Sequence, residues 1–354
     1  MSTSCKSRSA RLLEVVDRHP RLLIVSHDNP DPDALASGWA LKWLIQERLG
    51  RTVRFVAGGD IVRAENRHML RLLDVPIELL PSLPTEDDAA VVLVDCNPGA
   101  VNHLAAGGQP IVAVIDHHQT SLEAPPDVFL DIRPEVVATA SIAASYLWEQ
   151  GLEPAADLAT AIIYAFRTET RGCETRHSRL DRRMISWLTD RADPSRLAEI
   201  ENAPLSRNYY DQLVLALQNT FLYDDAAFCL LPRCDEPEIV GEIADLLIRC
   251  EGIHRVLCGA VYGGDVLLSV RTDPTGGNAT ELLQTAIDGL GHGGGHMHRA
   301  GGKLLLERLK GLAIASGTDA LEAELRSRWL AACQVDRQRG TRLVRRREIL
   351  EHLD

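Results

Sequence analysis

The chain has 354 residues and a formal net charge of −12, and 45% of its residues are hydrophobic but only 5% aromatic. This length and composition predict about two globular domains, with cores built mainly from aliphatic side chains. A surface this acidic repels polyanions, which argues against tight binding of long duplex nucleic acid. A phosphate ester would need positive charge concentrated at one site.

The eight cysteines form no CxxC pair, so the sequence shows no thiolate zinc site or redox motif. The first twenty residues lack the apolar stretch of a signal peptide. No segment approaches the roughly 20 apolar residues of a membrane span. We therefore expect reduced thiols, no membrane partner and a cytoplasmic location.

The first half of the chain alternates short apolar runs with helical patterns. Strands are predicted at 21–26, 52–57, 90–95 and 111–116, and helices at 33–49 and 62–73. Continuous apolar runs of this kind suit a mainly parallel sheet that is covered on both faces. The alternation of strand and helix therefore predicts an α/β fold with a doubly wound sheet.

The rest of the chain is predicted to be helical over 139–217 and then to form a second, smaller α/β domain. The predicted strands of that domain lie at 228–231, 256–262, 266–271 and 303–306, and its helices at 239–250 and 279–290. The pattern predicts a first domain at 1–190, a helical linker at 191–225, a second domain at 226–335 and a charged tail at 336–354. The basic run 345–347 in that tail more often marks a solvated helix face than a nucleic-acid site.

The strongest signal for chemistry follows the first predicted strand, in the sequence HDNPDPD. Its two prolines favour an extended conformation, in which His27, Asp31 and Asp33 have the same parity and can point to one side. Ligand sites in open α/β sheets lie at this carboxyl edge. Capping of the following helix by Asp31 or Asp33 is the structural alternative, but it accounts for only one of these groups.

Two further strands end in acidic or imidazole side chains. Asp95 follows the run AVVLV, and the run IVAVI leads into Asp116, His117 and His118. A lone aspartate at a strand exit often serves turn chemistry, and a lone histidine pair is usually structural. Three strand ends that all carry such groups favour a shared metal site instead. Imidazole and carboxylate donors suit Mn²⁺, Fe²⁺, Co²⁺ or Zn²⁺.

The glycine cluster at 291–295, followed by His296, predicts an anion-binding loop. Consecutive glycines let backbone N–H groups approach an anion without a side-chain clash. Arg271, which ends a predicted strand, can then hold a phosphate or a base together with Gly294, Gly295 and His296. A flexible surface loop is the alternative. Since no GxxxxGK[ST] motif is present, a nucleotide would be a substrate and not an energy source.

Taken in order, these motifs resemble those of the DHH/DHHA1 phosphoesterases. Residues 27–34, Asp95 and residues 116–118 are similar to the first three family motifs, and residues 293–296 with 300–302 resemble the GGGH signature of the DHHA1 domain. The resemblance implies a DHH catalytic domain at 1–190 and a DHHA1 substrate-binding domain at 226–335. Two such domains look closest to the nano-RNases and the phosphatases of 3′-phosphoadenosine 5′-phosphate (pAp). RecJ-type exonucleases share the motifs but usually carry added DNA-binding domains.

The resemblance implies two divalent metal ions, with Mn²⁺ as the first expectation. One ion would be held by His27, Asp31 and Asp95, and the other by Asp33, Asp95, His117 and Glu169. Glu169 stands where the family has an aspartate, so its carboxylate lies one methylene further from the backbone. It can ligate with a shifted backbone, bind through water, or weaken the second site.

For the reaction, the resemblance implies hydrolysis of phosphate esters of pAp or short oligonucleotides by a metal-activated water. His118 would lie beside the attacking or leaving oxygen, and Asp116 would orient the histidines. The substrate would bind Arg271, Gly294, Gly295 and His296. Two alternatives stay open: a phosphodiesterase of cyclic or linear dinucleotides, and a nucleotide-binding regulatory protein that has lost turnover through Glu169. The sequence does not decide whether the chain forms a homodimer.

Overall fold

A computed structural model describes residues 6–83, 89–99, 102–119, 127–170, 177–295, 297–305, 318–336 and 339–344. The chain divides into two units, Met1–Pro204 and Leu205–Asp354. This boundary lies within the segment 191–225 that the sequence predicts as a linker. Two predicted features, His296 and the basic run 345–347, lie outside the described residues.

The first unit contains, in its described part, six parallel strands that form one sheet. They are β1 (Leu22–Val25), β2 (Arg54–Ala57), β3 (Ile77–Leu79), β4 (Ala90–Val94), β5 (Ile111–Asp116) and β6 (Phe129–Ile132), in the order β3-β2-β1-β4-β5-β6. β1 and β4 are buried at every position, as strands covered on both faces require. The predicted α/β fold with a parallel sheet is therefore confirmed. The strand order changes direction between β1 and β4, where ligands bind in such sheets.

The helices of this unit cover the sheet unevenly. They are α1 (Arg8–Asp17), α2 (Pro32–Leu49), α3 (Ala64–Leu72), α4 (Thr139–Glu149), α5 (Ala156–Thr170), α6 (Arg179–Thr189) and α7 (Pro194–Glu201). The main apolar core joins one face of the sheet to α1, α2, α4 and α5, and a smaller apolar cluster lies on the opposite face. α2 is largely buried because it packs against both α4 and α5. None of the described helices combines the length and the apolar character that crossing a membrane requires.

The second unit is built around a mixed sheet. Its described strands are β7 (Thr220–Tyr223), β8 (Ala226–Leu231), β9 (Arg255–Tyr262), β10 (Asp265–Thr272), β11 (Gly291–Gly295), β12 (Arg299–Leu305) and β13 (Thr341–Arg342), in the order β11-β12-β10-β9-β8-β7-β13. β8 and β9 are parallel, and the other described neighbours are antiparallel. Helices α8 (Arg207–Asn219) and α9 (Ile239–Leu247) cover one face of the sheet, and α10 (Ala279–Ala286) and α11 (Thr318–Ala332) cover the other.

The glycine cluster forms an edge strand, β11, which corrects the predicted loop. Glycines are needed in this strand because neighbouring backbone and side-chain atoms approach it closely. A Cβ atom added at Gly291 would lie 2.2 Å from the carbonyl oxygen of Lys303, and one at Gly293 would lie 2.8 Å from Leu283 Cδ2. These glycines therefore let β11 pack tightly against β12 and α10. As an edge strand, β11 still leaves part of its backbone N–H groups outside the ladder.

Candidate metal centre

Three strands of the first unit deliver polar side chains to one edge of the sheet. His27 lies two residues beyond β1, Asp95 directly follows β4, and Asp116 ends β5. Because β1, β4 and β5 are parallel neighbours, their carboxyl ends lie side by side. The structure therefore brings together the three loops that the sequence singles out.

Asp95 lies at the middle of this cluster. Its side chain is buried, with Oδ2 3.7 Å from Nε2 of His27 and Oδ1 3.7 Å from Nε2 of His117. Oδ1 is also 3.8 Å from Nδ1 of His118. The backbone of Asp95 has a φ of 57°, a left-handed conformation that aspartate tolerates better than most residues. One carboxylate thus faces imidazoles from both neighbouring loops.

His27 presents its Nε2 to two carboxylates. Its Nδ1 lies 2.9 Å from the backbone oxygen of Asp28 and donates a hydrogen bond to it, so Nε2 is the ring nitrogen that a cation would bind. Nε2 is 3.9 Å from Oδ1 of Asp31. The same oxygen accepts the backbone N–H groups of Asp33 and Ala34, each at 3.0 Å, and so caps α2. Asp31 does serve as a cap, and this role is compatible with cation binding.

Asp33 is almost fully buried at the start of α2. Its two oxygens accept the backbone N–H groups of Thr139 and Ala140, each at 2.7 Å. Its Oδ2 is also 3.8 Å from Nε2 of His117. The side chain thus lies between the first turn of α4 and the imidazole that Asp95 also faces.

Glu169 lies in the last turn of α5. Burial raises the pKa of Asp33 well above its usual value, and the charges of Asp95 and Glu169 raise it further. Glu169 is therefore near enough to Asp33 for their charges to interact. It does not belong to either tight group of donor atoms found in the described residues, so its role as a ligand stays a prediction.

Asp116 orients His118. The ring Nδ1 of His118 donates to Oδ1 of Asp116 at 2.8 Å, and the backbone N–H of His118 donates to the same oxygen at 3.1 Å. Asp116 is fully buried, and this hydrogen bond is the main reason that the pKa of His118 is raised to about 9. Because Nδ1 is engaged with Asp116, we interpret His118 as a proton carrier rather than a metal ligand.

The donor atoms of the cluster fit a pair of divalent cations. In the described residues, two groups each offer three donor atoms within 4.8 Å of one another: His27, Asp31 and Asp95, and Asp95, His117 and His118. Since His118 is engaged with Asp116, the third ligand of the second group would be Asp33, whose Oδ2 is 3.8 Å from Nε2 of His117. The separations between these donor atoms, 3.7–3.9 Å, are too long for hydrogen bonds. Two atoms that bind one ion at about 2.0–2.2 Å each lie up to about 4.4 Å apart. Asp95 belongs to both groups, as a bridging carboxylate would. Imidazole and carboxylate suit Mn²⁺ and similar ions.

The carboxylates of the cluster also hold protons on the rings of His27 and His118. Burial lowers the pKa of His27, but Asp95 and Asp31 outweigh burial and raise it to about 10. Burial would raise the pKa of Asp95, but the imidazoles of His27 and His117 hold it below its usual value. A bound cation would compete with these protons for the same carboxylates, so cation binding is coupled to proton release.

Two residues at the site were not predicted from the sequence. The hydroxyl of Thr139 donates to Oδ1 of Asp95 at 2.8 Å, and both side chains are buried. His103 is buried and pairs through its backbone with His27, and its ring nitrogens have no hydrogen-bond partner in the described part of the chain. A threonine at a helix start ordinarily indicates a cap, which hides the role of Thr139.

In the second unit, Arg271 lines a cavity of about 410 Å³ on one face of the sheet. Its guanidinium donates to Asp245 at 2.5 Å and to Ser269 at 2.7 Å. Gly301, which also lines the cavity, is the β12 partner of Gly294 in β11. Gly294 therefore lies one strand away from the cavity, with Gly295 next to it.

Residues 21–166 match the model of the DHH family, N-terminal domain. This part of the first unit is therefore similar to the N-terminal domain of the DHH family. The matched range includes the carboxyl edge of the sheet and every predicted metal ligand except Glu169. The DHH part of the resemblance is thereby confirmed, and the assignment of the second unit as a DHHA1 domain stays a prediction.

Known proteins resemble this chain to different extents. An uncharacterised protein of Methanocaldococcus jannaschii is 32% identical over 294 residues, which are 82% of this chain and 59% of that protein. A probable manganese-dependent inorganic pyrophosphatase of Streptococcus pyogenes is 25% identical over 152 residues, which are 42% of this chain and 48% of that protein. The chain thus spans less than two thirds of these curated relatives.

The fold is shared with a solved structure. The crystal structure of an exopolyphosphatase-related protein from Bacteroides fragilis has a TM-score of 0.69 at 17% identity, and the match covers 94% of this chain and 99% of that one. At this identity the likeness shows the fold alone.

Asp95→Asn is expected to weaken Mn²⁺ affinity at both sites by more than about 100-fold, because both sites share this carboxylate. His27→Gln removes a donor from only one site and should leave one ion bound. Isothermal titration of the metal-free protein with Mn²⁺ measures the number of sites and their affinities. Asp131→Asn is the matched control, since Asp131 is equally buried but bonds Arg133 and Tyr146. Two intact sites in Asp95→Asn would contradict the shared ligand.

Mn²⁺ affinity is expected to rise with pH between about 6.5 and about 10, because the pKa of His27 is raised from 6.5 to about 10. Within this window the metal-free protein keeps a proton on His27 that the cation must displace. Titration calorimetry in two buffers with different ionisation enthalpies measures the released protons. His27→Gln should reduce the release. Equal affinities across this pH range would argue against the displacement.

Proposed function

We propose that this chain is a divalent-metal-dependent phosphohydrolase that cleaves phosphate esters of pAp or very short oligonucleotides. The observation that carries the proposal is the position of Asp95, whose carboxylate lies 3.7 Å from His27 and from His117 and 3.8 Å from His118. The match of residues 21–166 to the DHH family supports it. The Streptococcus pyogenes relative, whose name includes manganese dependence, supports the choice of Mn²⁺ as first metal.

The proposed ligand sets follow from the cluster. His27, Asp31 and Asp95 would hold one ion, and Asp33, Asp95, His117 and Glu169 would hold the other. Divalent cations bound there would offset the negative charge of a phosphate ester and lower the pKa of a water molecule. Because two ions share one carboxylate, the loss of Asp95 should be more damaging than the loss of any other ligand.

His118 is the proposed proton donor to the leaving oxygen. Its hydrogen bond to Asp116 fixes the orientation of the ring and raises its pKa to about 9, which keeps a proton on the ring at neutral pH. His118 has the most exposed side chain of these three imidazoles: its exposed fraction is 39%, against 13% for His117 and 19% for His27. It is therefore the imidazole that a substrate reaches most easily.

The second unit offers a surface for substrate phosphates. Arg271 and Arg299 are directly opposite each other on β10 and β12, so their side chains lie on the same face of the sheet, and both line the cavity. The nearest atom to a Cβ added at Gly301 would be 4.0 Å away, so packing does not demand this glycine. Its lack of a side chain leaves space in the cavity near Arg271 and Arg299, which suits a phosphate.

Size and charge favour a small substrate. A cavity of about 410 Å³ lies within the range of about 300–1,000 Å³ that small-molecule sites usually have. The net charge of −12 disfavours long polyanions. Inorganic pyrophosphate is the second candidate substrate, because the pyrophosphatase relative matches 152 residues of this chain. A dinucleotide phosphodiesterase and a regulatory protein that binds without turnover remain the further alternatives.

A substrate panel with Mn²⁺ tests the reaction class. We expect faster release of phosphate or nucleoside monophosphate from pAp or a dinucleotide than from pyrophosphate. Asp116→Asn should lower kcat by about 100-fold or more, because His118 loses the acceptor that orients it. Glu169→Asp should retain or raise the rate, and Asp131→Asn serves as the folded control. Full activity in Asp116→Asn would overturn the site assignment, and binding without turnover would favour the regulatory alternative.

Arg271→Gln tests the proposed phosphate surface. We expect KM to rise by about 10-fold or more, as a lost hydrogen bond to a charged group costs about 1.5–3 kcal/mol, while Mn²⁺ affinity stays unchanged. Arg255→Gln is the matched control, because Arg255 is ion-paired to Asp225 on the same sheet but does not line the cavity. An unchanged KM in Arg271→Gln would remove this surface from the proposal.

A further inference from the structure

Helix α4 begins without a side-chain cap of its own. The residue before it is Ala138, which offers no acceptor to the first N–H groups of the helix. Asp33, more than a hundred residues earlier in the chain, accepts the N–H groups of Thr139 and Ala140 at 2.7 Å each. A helix N-terminus also stabilises a negative charge. The start of α4 and a buried carboxylate of the cluster therefore stabilise each other.

Thr139 links two buried carboxylates of the cluster, Asp33 and Asp95. Its backbone N–H donates to Asp33, and its hydroxyl donates to Oδ1 of Asp95 at 2.8 Å. A carboxylate can rotate about its last bond, and a hydrogen bond to one oxygen restricts that rotation. With Oδ1 held by Thr139, Oδ2 of Asp95 stays on the side of His27.

Asp181 also holds the start of α4. It is completely buried and lies in the first turn of α6, in a capping box with Ser178. Its carboxylate accepts the backbone N–H of Val137 at 3.2–3.3 Å and the hydroxyl of Ser141. These contacts lie on either side of Thr139 in the sequence. Asp181 therefore restricts the segment from which Thr139 reaches the cluster.

We propose that Thr139 positions the carboxylate of Asp95 for cation binding and that Asp181 holds Thr139 in place. This inference rests on the proposed function, because it assigns a task to residues behind the predicted ligands. Neither residue is itself a predicted ligand. Hydrogen-bond partners of metal ligands typically change metal affinity by about 10–100-fold when they are removed.

Mn²⁺ binding to the full chain tests Thr139 without relying on activity. Thr139→Val should weaken affinity by about 10-fold or more, and Thr139→Ser, which keeps the hydroxyl, should restore most of it. Thr160→Val is the matched control, because Thr160 is a buried threonine of the same unit whose hydroxyl donates to the Ala156 carbonyl. It should leave Mn²⁺ affinity unchanged. If Thr139→Val fails to fold, Thr139→Ala removes the hydroxyl without adding a methyl group.

Asp181→Asn tests the second step of the proposal. It should weaken Mn²⁺ binding, and the electron paramagnetic resonance spectrum of bound Mn²⁺ should broaden as the ligand geometry becomes less uniform. Asp131→Asn replaces another fully buried carboxylate of this unit and should lower thermal stability without either effect. If both variants change Mn²⁺ affinity equally, Asp181 has only a structural role and this step is overturned.

The outcomes separate this inference from the proposed function. A wild-type chain that binds no Mn²⁺ would remove the proposed function. A wild-type chain that binds Mn²⁺, together with a folded Thr139→Val variant of equal affinity, would overturn the positioning role alone. Equal weakening in Thr139→Val and Thr139→Ser would also overturn it, because the hydroxyl would then not be the group that matters.

Discussion

The negative charges of two buried carboxylates, Asp33 and Asp95, must be compensated at the carboxyl edge of a parallel sheet. Taking such charges out of water costs several kcal/mol each unless hydrogen bonds or opposite charges replace the water. The structure supplies backbone N–H groups at the start of α4 for Asp33, and imidazoles from two neighbouring loops for Asp95. The proton on His27 offsets part of the charge, and divalent cations would offset more. The surrounding loops and helices of the first unit thus stabilise the buried negative charge at this edge of the sheet.

The fold of the first unit follows from local patterns in the sequence. The runs that form β1, β4 and β5 are continuously apolar, and only a parallel sheet covered on both faces buries such runs completely. Parallel pairing then places their carboxyl ends together, so His27, Asp95 and His117 converge. The predicted parity of His27, Asp31 and Asp33 does not hold, because Asn29 has a φ of 56° and Asp33 already belongs to α2. His27 and Asp31 still lie close together, with Nε2 and Oδ1 3.9 Å apart.

Other features depend on contacts that no local pattern reveals. Thr139 contacts Asp95, which lies 44 residues earlier in the sequence, so no local pattern indicates this contact. In the sequence alone, a threonine at a helix start looks like a cap. The glycines of β11 look like a loop in the sequence. They are needed because Lys303 and Leu283 leave no room for a side chain, and this closeness follows only from the tertiary structure. Short edge strands such as β3 and β13 carry too few residues for a clear alternation. The features that the sequence did not predict depend on packing between distant segments, whereas the loops of the site were predicted from local sequence patterns.

Anomalous diffraction from crystals of the full chain grown with Mn²⁺ tests the central claim most directly. Our account predicts two manganese peaks on either side of the Asp95 carboxylate, about 3.5–4 Å apart as in other two-metal sites, with His27 beside one and His117 beside the other. A single peak that Asp95 does not contact, or Mn²⁺ bound only elsewhere on the chain, would contradict it.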